Sequence, residues 1–278
     1  MPSARASATT NPSGASELPL RALGILLFVF GLAACHRPVP TSVIQQDPAV
    51  LLARAMALPA TEPVSNRFSI HIHTPDQDVT AWGALVVRSP DHFRIEVAGP
   101  IGPPVLIVAC DGQDVNAWLA TQQNFYAGEG ADRTLRALTG GAAGLDVLTA
   151  LLVGQLPAML GTPSGAAAAP PFGWTWWWQA PDGSRLTAAL DTRSSRLVDV
   201  AAQDAAGRVL LHAELTHGDP TSRYPTTLAA ELPTLYASVQ IDFGAWRPAD
   251  PPDGAFHIAP PPGAHIKPLN GAPGPVGG

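Results

Sequence analysis

Period-two alternation of apolar and polar residues constrains this chain more than any other feature. In residues 92–98, Phe93, Ile95 and Val97 alternate with His92, Arg94 and Glu96. Successive side chains of a strand point to opposite faces, so such a run is greasy on one side and wet on the other. Residues 207–217 repeat the pattern, with Val209, Leu211, Ala213 and Leu215 set against His212, Glu214 and Thr216. In 235–243, Val239, Ile241 and Phe243 oppose Ser238, Gln240 and Asp242. Further strands are expected at 67–74, 79–88, 104–110, 113–119, 122–127, 173–179, 184–190 and 196–202. Turn signals separate several of them, at Asp111-Gly112, Pro181-Asp182-Gly183 and Ala206-Gly207. One greasy and one wet face is the pattern of an antiparallel sheet solvated on one side.

Helical spacing is confined to three places. Residues 49–58 read as a helix that Asp47 can cap, with Pro48 in its first turn and Pro59 ending it. Residues 131–138 and 145–156 form a pair split by Gly140-Gly141, the second with Leu145, Leu148, Leu152 and Leu156 on one stripe. The expected fold is therefore mainly β with a few helices, an α+β chain. A sheet of this size tends to curl or close, so the expectation is a curved antiparallel sheet forming an incomplete barrel under a helical lid. An apolar cavity between them would be lined by Phe93, Ile95, Val97, Leu148, Leu152, Trp174, Trp176, Val209, Leu211 and Ile241.

The N-terminus addresses the chain to a membrane. Arg21 precedes the apolar run 22–30, and Leu32-Ala33-Ala34-Cys35 follows. The run is too short to span a bilayer, which takes roughly 20 residues, and suits a signal peptide. Leu-Ala-Ala-Cys is a lipobox, in which the Cys35 sulfur takes a diacylglycerol before cleavage. The layout read from this is a signal peptide at 1–34, a Pro-rich tether at 35–48, a folded body at 49–259 and a disordered Pro/Gly tail at 260–278. His36, not Asp, follows the cysteine, which leans towards the outer membrane.

Composition narrows the function. Charged residues are 14% and the net charge is −6, with no basic stripe to meet phosphates, so nucleic acid is excluded as a partner. With Cys35 acylated, Cys110 is left without a disulfide partner and reads as a buried small hydrophobe. No nucleophile elbow, phosphate-binding loop or His-Glu-x-x-His string occurs, so no catalytic residue is assigned, no cofactor is implied and the chain is read as a non-enzyme. His71-x-His73 puts two imidazoles on one wet face, but the sequence places no third ligand, so no metal site is assigned. Trp174, Trp176 and Trp178 share a strand face, which suits a core or cavity wall more than a sugar platform. Trp82 and Trp118 are expected to join the same interior.

The order of elements and three local strings resemble the LolA/LolB family, and LolB more than LolA. Residues 93–102 resemble the family's strand and Gly-Pro-Leu-Gly loop. Residues 138–157 resemble LolB's lid helices, and a lipobox precedes the body as it does in LolB. The resemblance covers roughly 49–248, whereas the Gly/Ala/Pro segment 161–171 and the tryptophan cluster after it depart from the family. It implies a monomeric, lipid-anchored, periplasm-facing receptor whose cargo is lipoproteins or lipids, supplied by a LolA-like carrier. It also implies a membrane-insertion role for Ile101, in the loop after the strand. A second reading stays open: a structural or assembly lipoprotein of the envelope that uses the same fold as a protein-binding module.

Overall fold

The structure, a computed structural model, describes residues 47–57, 62–99, 103–157, 160–169, 173–218, 222–252 and 254–269. Cys35 and Ile101 lie outside the described residues. The first helix among the described residues, α1 (Pro48–Met56), starts as the sequence implies: Pro48 occupies its first turn, and the Asp47 carboxylate accepts a 2.9 Å bond from the Ala49 amide.

Six strands follow as an antiparallel meander: β1 (Val64–His73), β2 (Asp78–Arg88), β3 (His92–Ala98), β4 (Pro104–Asp111), β5 (Asp114–Leu119) and β6 (Asn124–Glu129). Helices α2 (Ala131–Leu138) and α3 (Leu145–Val153) come next. A second meander comprises β7 (Gly165–Ala169), β8 (Gly173–Gln179), β9 (Arg185–Asp191), β10 (Leu197–Gln203), β11 (Val209–Thr216), β12 (Thr227–Leu232) and β13 (Ala237–Phe243). Strands β14 (Arg247–Pro248) and β15 (His265–Pro268) complete the pairing among the described residues.

The two meanders join where β1 lies antiparallel to β13. The buried Asn66 amide stitches that seam: Nδ2 donates to the Gly244 carbonyl and Oδ1 accepts from the Gly244 amide, each at 3.0 Å. The resulting order is β15-β6-β5-β4-β3-β2-β1-β13-β12-β11-β10-β9-β8-β7, with β14 beside β1. Since β6 and β7 lie towards opposite ends of this order, the segment joining them crosses the sheet. That is why α2 and α3 lie on its apolar face.

This order corrects the expected architecture. The protein is a mixed fold with one large, mostly antiparallel 15-stranded sheet and a few helices, not a curved, incomplete barrel. Closure needs the two end strands to bond each other, and among the described residues they do not. One end is finished by β15, which runs parallel to β6; the other is the Ala-rich β7. Strand number was a poor guide because open sheets of up to about 15 strands exist when something covers their apolar face. Strand β15 also falls inside the tail expected to be disordered, so 265–268 are ordered against β6, while 270–278 lie outside the described residues.

The helices supply the cover. Leu51, Leu52 and Ala55 of α1 are buried, and α1 lies over β9. Helix α3 buries Leu145, Val147, Thr149, Ala150, Leu151, Leu152 and Val153, seven of its nine residues. The sequence implies a lid with one apolar stripe; a helix apolar nearly all round is an internal element. Leu148 and Leu156, expected on the stripe, are only partly buried. At roughly 1.5–3 kcal/mol per fully buried large aliphatic side chain, α3 is held mainly by burial. Polar ties fix its position: the Thr149 hydroxyl donates to the Pro90 carbonyl before β3, and Asp132 Oδ1 of α2 accepts from the Leu145 amide at 3.0 Å.

Candidate lipid-binding face

The register brings most of the expected lining residues to one face. Phe93 and Leu211 are buried under the helices, as is Trp176, which pairs with Ala188. Leu152 meets them from α3. Ile95, Leu148, Trp174 and Ile241 are partly buried and pack against the same core, while Val97 is half-buried beside Gly83. Val209 departs from the set: it is 38% exposed at the first position of β11, just beyond the Gly207 turn.

Two tryptophans of the β8 cluster differ in how their N–H groups are satisfied. The Trp178 Nε1 donates to the Gly161 carbonyl at 2.8 Å. The Trp174 Nε1 is buried and meets no acceptor among the described residues. A buried donor left unpaired costs about 1–3 kcal/mol, so this position would gain from an acceptor on a bound molecule. Trp177 points the other way, where the Arg185 guanidinium lies 4.9 Å from its ring.

Trp82 and Trp118 are not interior. Trp82 pairs with Ser69 across β1, among the outward-facing residues, and is 68% exposed. By register Trp118 also lies on the side of the sheet away from the helices, half-buried between Ile107 and the buried Phe125. The alternation already held this: Val79, Ala81, Leu85 and Val87 form the core side of β2, so Trp82 falls with Thr80 and Ala84. Trp82 lines an outer groove of about 610 Å³ with Arg67, Ser69, Glu96, Ala98 and Pro104. Ala98 and Pro104 are the last and first strand residues around the loop that contains Ile101.

Other outward residues are engaged locally. The segment after β14 straps the end of β3: Arg94 Nη1 donates to the Ala255 carbonyl at 3.0 Å, and Phe256 is buried edge-on to His92. Asp78 supplies the partner that the sequence left open for the two β1 imidazoles, at 2.9 Å from His71 Nε2 and 3.9 Å from His73 Nδ1. Cys110 is fully buried, and burial pushes its thiol up to about 11 from an ordinary 9.0.

With this architecture in view, three solved structures are similar over most of the chain. A DUF1329 family protein from Desulfovibrio piger matches with a TM-score of 0.57 at 10% identity, over 75% of this chain and 95% of its own. A LolA superfamily protein from Nitrosomonas europaea matches with 0.52 at 12%, over 76% and 97%. The fold is LolA-like. A Vibrio parahaemolyticus domain described as an outer membrane lipoprotein-sorting protein agrees, with 0.54 at 11%, over 75% and 95%. At these identities the likeness is one of fold, shared with lipoprotein-sorting structures in general and not with LolB in particular. No family model and no curated protein matches the sequence, and no catalytic domain is found. Among the described residues, no helix is long and apolar enough to cross a membrane.

Proposed function

We propose that this chain is a lipid-anchored receptor that takes the acyl chains of lipoproteins or lipids between its apolar sheet face and its helices, and passes them to the outer membrane. The observation that carries the reading is the LolA-like sheet, whose apolar face is covered by helices and not by a second sheet. Each CH₂ moved from water to such a face gains about 0.8 kcal/mol, so acyl chains bind without specific polar contacts. Selection is then by lipid and not by the cargo's sequence. The Trp174 N–H, unpaired among the described residues, adds one acceptor-seeking point near that face.

Cargo enters by displacing helices, because α3 occupies the space beside the sheet. The lipobox at Cys35 supports an anchored, LolB-like role over a soluble LolA-like one, and His36 supports the outer membrane. The working layout keeps 1–34 as signal peptide, 35–48 as tether and 49–259 as the LolA-like body, with a LolA-like carrier as donor. Ile101 and Trp82 together would form a second membrane contact: an aliphatic side chain in a Gly-Pro loop and an indole at its foot. Tryptophan favours the bilayer interface, where one end of the ring is apolar and the other wet.

One observation favours the second reading. Helix α3 is buried nearly all round by the protein's own side chains, as expected of a protein-binding module that carries no lipid. Uptake of a fluorescent fatty acid separates the two. Saturable uptake by the delipidated protein supports the receptor; no uptake removes it.

A further inference from the structure

We propose a divalent-cation site of the zinc class on the outer face of the sheet, formed by Asp199, His212 and Glu214. It is separate from the lipid-binding face and does not depend on that reading. The three residues come from neighbouring strands. Asp199 on β10 pairs directly with Glu214 on β11, and Ala201 pairs with His212, so all three project outward within one patch. One ligand atom from each lies within 4.8 Å of the others. His212 Nε2 and Asp199 Oδ2 are already 2.7 Å apart.

Two features point to a cation and not merely to a surface ion pair. First, Asp199 and Glu214 are like charges placed directly opposite each other, an arrangement that destabilises a strand pair. Glu231 on β12 is a third carboxylate in the patch, directly opposite His212, while Arg193 and Arg196 line a groove shared with Glu214. A divalent ion held between Asp199 and Glu214 would offset their mutual repulsion. Second, the donor set is chemically matched. One imidazole nitrogen and two carboxylate oxygens are ligands that zinc accepts at about 2.0–2.2 Å, with three protein ligands leaving a fourth position open.

The adjustment needed is small. Ligands around a tetrahedral ion stand about 3.3 Å apart. The His212–Asp199 contact would lengthen as the ion takes the place of the hydrogen bond between them, and the exposed Glu214 side chain would swing in. The backbone would not move, because both strands are held by ladder bonds on either side. The open position faces an outer groove of about 230 Å³ lined by His71, His212, Glu214 and Glu231, which admits water or a donor from a partner.

The test is titration of the full chain in detergent, stripped with EDTA, with Zn²⁺ under chelator-buffered conditions and read by calorimetry. The expected result is one equivalent bound, weakened at least about tenfold by His212→Gln and by Glu214→Gln, with His257→Gln, which lies outside the patch against Asp111, leaving that equivalent unchanged. Unaltered melting of each variant in EDTA shows that the fold is intact. Three outcomes overturn the site: no stoichiometric binding, binding that His212→Gln does not weaken, or binding lost only with the His71/His73 pair.

Discussion

Replacing Trp82 by Ala should weaken membrane binding while leaving the fold intact. A tryptophan presents roughly 200 Å², and Trp82 is 68% exposed, so about 135 Å² is available to a bilayer. At about 25 cal/mol per Å² this is a ceiling of about 3.4 kcal/mol. Seating the ring half-way, as at an interface, gives about 1.7 kcal/mol, or roughly 20-fold in affinity. The anchor would mask such a change, so the assay uses protein beginning at residue 36, without the acylated cysteine and the apolar run 22–30, and co-sedimentation with phosphatidylethanolamine/phosphatidylglycerol vesicles. Trp82→Ala should lose about 5- to 50-fold in partitioning by this arithmetic, and Trp82→Phe should recover part of it. Because the ring makes few buried contacts, urea unfolding should shift by no more than about 0.5 kcal/mol. Equal partitioning of Trp82→Ala and its parent would refute the reasoning.

Three further outcomes are expected. Ile101→Glu should weaken the same vesicle binding, and unchanged delivery of an acylated protein to liposomes would remove Ile101 from the mechanism. Gly144→Ala places a Cβ 2.0 Å from Asp132 Oδ1, the acceptor that joins α2 to α3. It should cost about 1–3 kcal/mol in urea unfolding, and combination with Asp132→Ala should be clearly sub-additive. Cys110 should resist thiol reagents at pH 8 until the protein is unfolded. Its folded thiol titrates near 11 against an ordinary 9.0, so the unfolded chain releases its proton first. That contribution to stability is complete below pH 9 and is lost as pH rises from 9 towards 11. A thermal-melting series that rises over this interval would contradict it.

How far the sequence carries the fold depends on which physical signal each element leaves. Strong alternation, as in β3 and β11, places strand and face together, because one buried side forces a period of two. Strand β12, Thr-Leu-Ala-Ala-Glu-Leu, was not anticipated. Its inward Leu228 and Ala230 and outward Ala229 and Glu231 differ too little in polarity to show a period. Strand β7, Gly-Ala-Ala-Ala-Ala, has no alternation at all and is a strand only because β8 pairs with it. Whether the sheet closes is decided by what its end strands bond to, which no local pattern records.

The candidate sites divide in the same way. That most of the residues expected at the apolar face point to the core was legible, since burial sets their spacing. Trp82 was misjudged because aromatic bulk was weighed above register, although its neighbours Val79, Ala81 and Leu85 placed it outside. His212-x-Glu214 marks a shared wet face in the sequence, but Asp199 joins them only through the β10–β11 register, which shifts at Ala202/Gln203. That is tertiary information.

The account rests on acyl chains occupying the apolar face, and mass spectrometry of lipid extracted from the purified protein tests it most directly. The account predicts acyl species that copurify beyond those attached at Cys35, in Cys35→Ser protein as well. Protein from the same preparation that carries no extractable acyl chain, and takes none up from vesicles after delipidation, would contradict it.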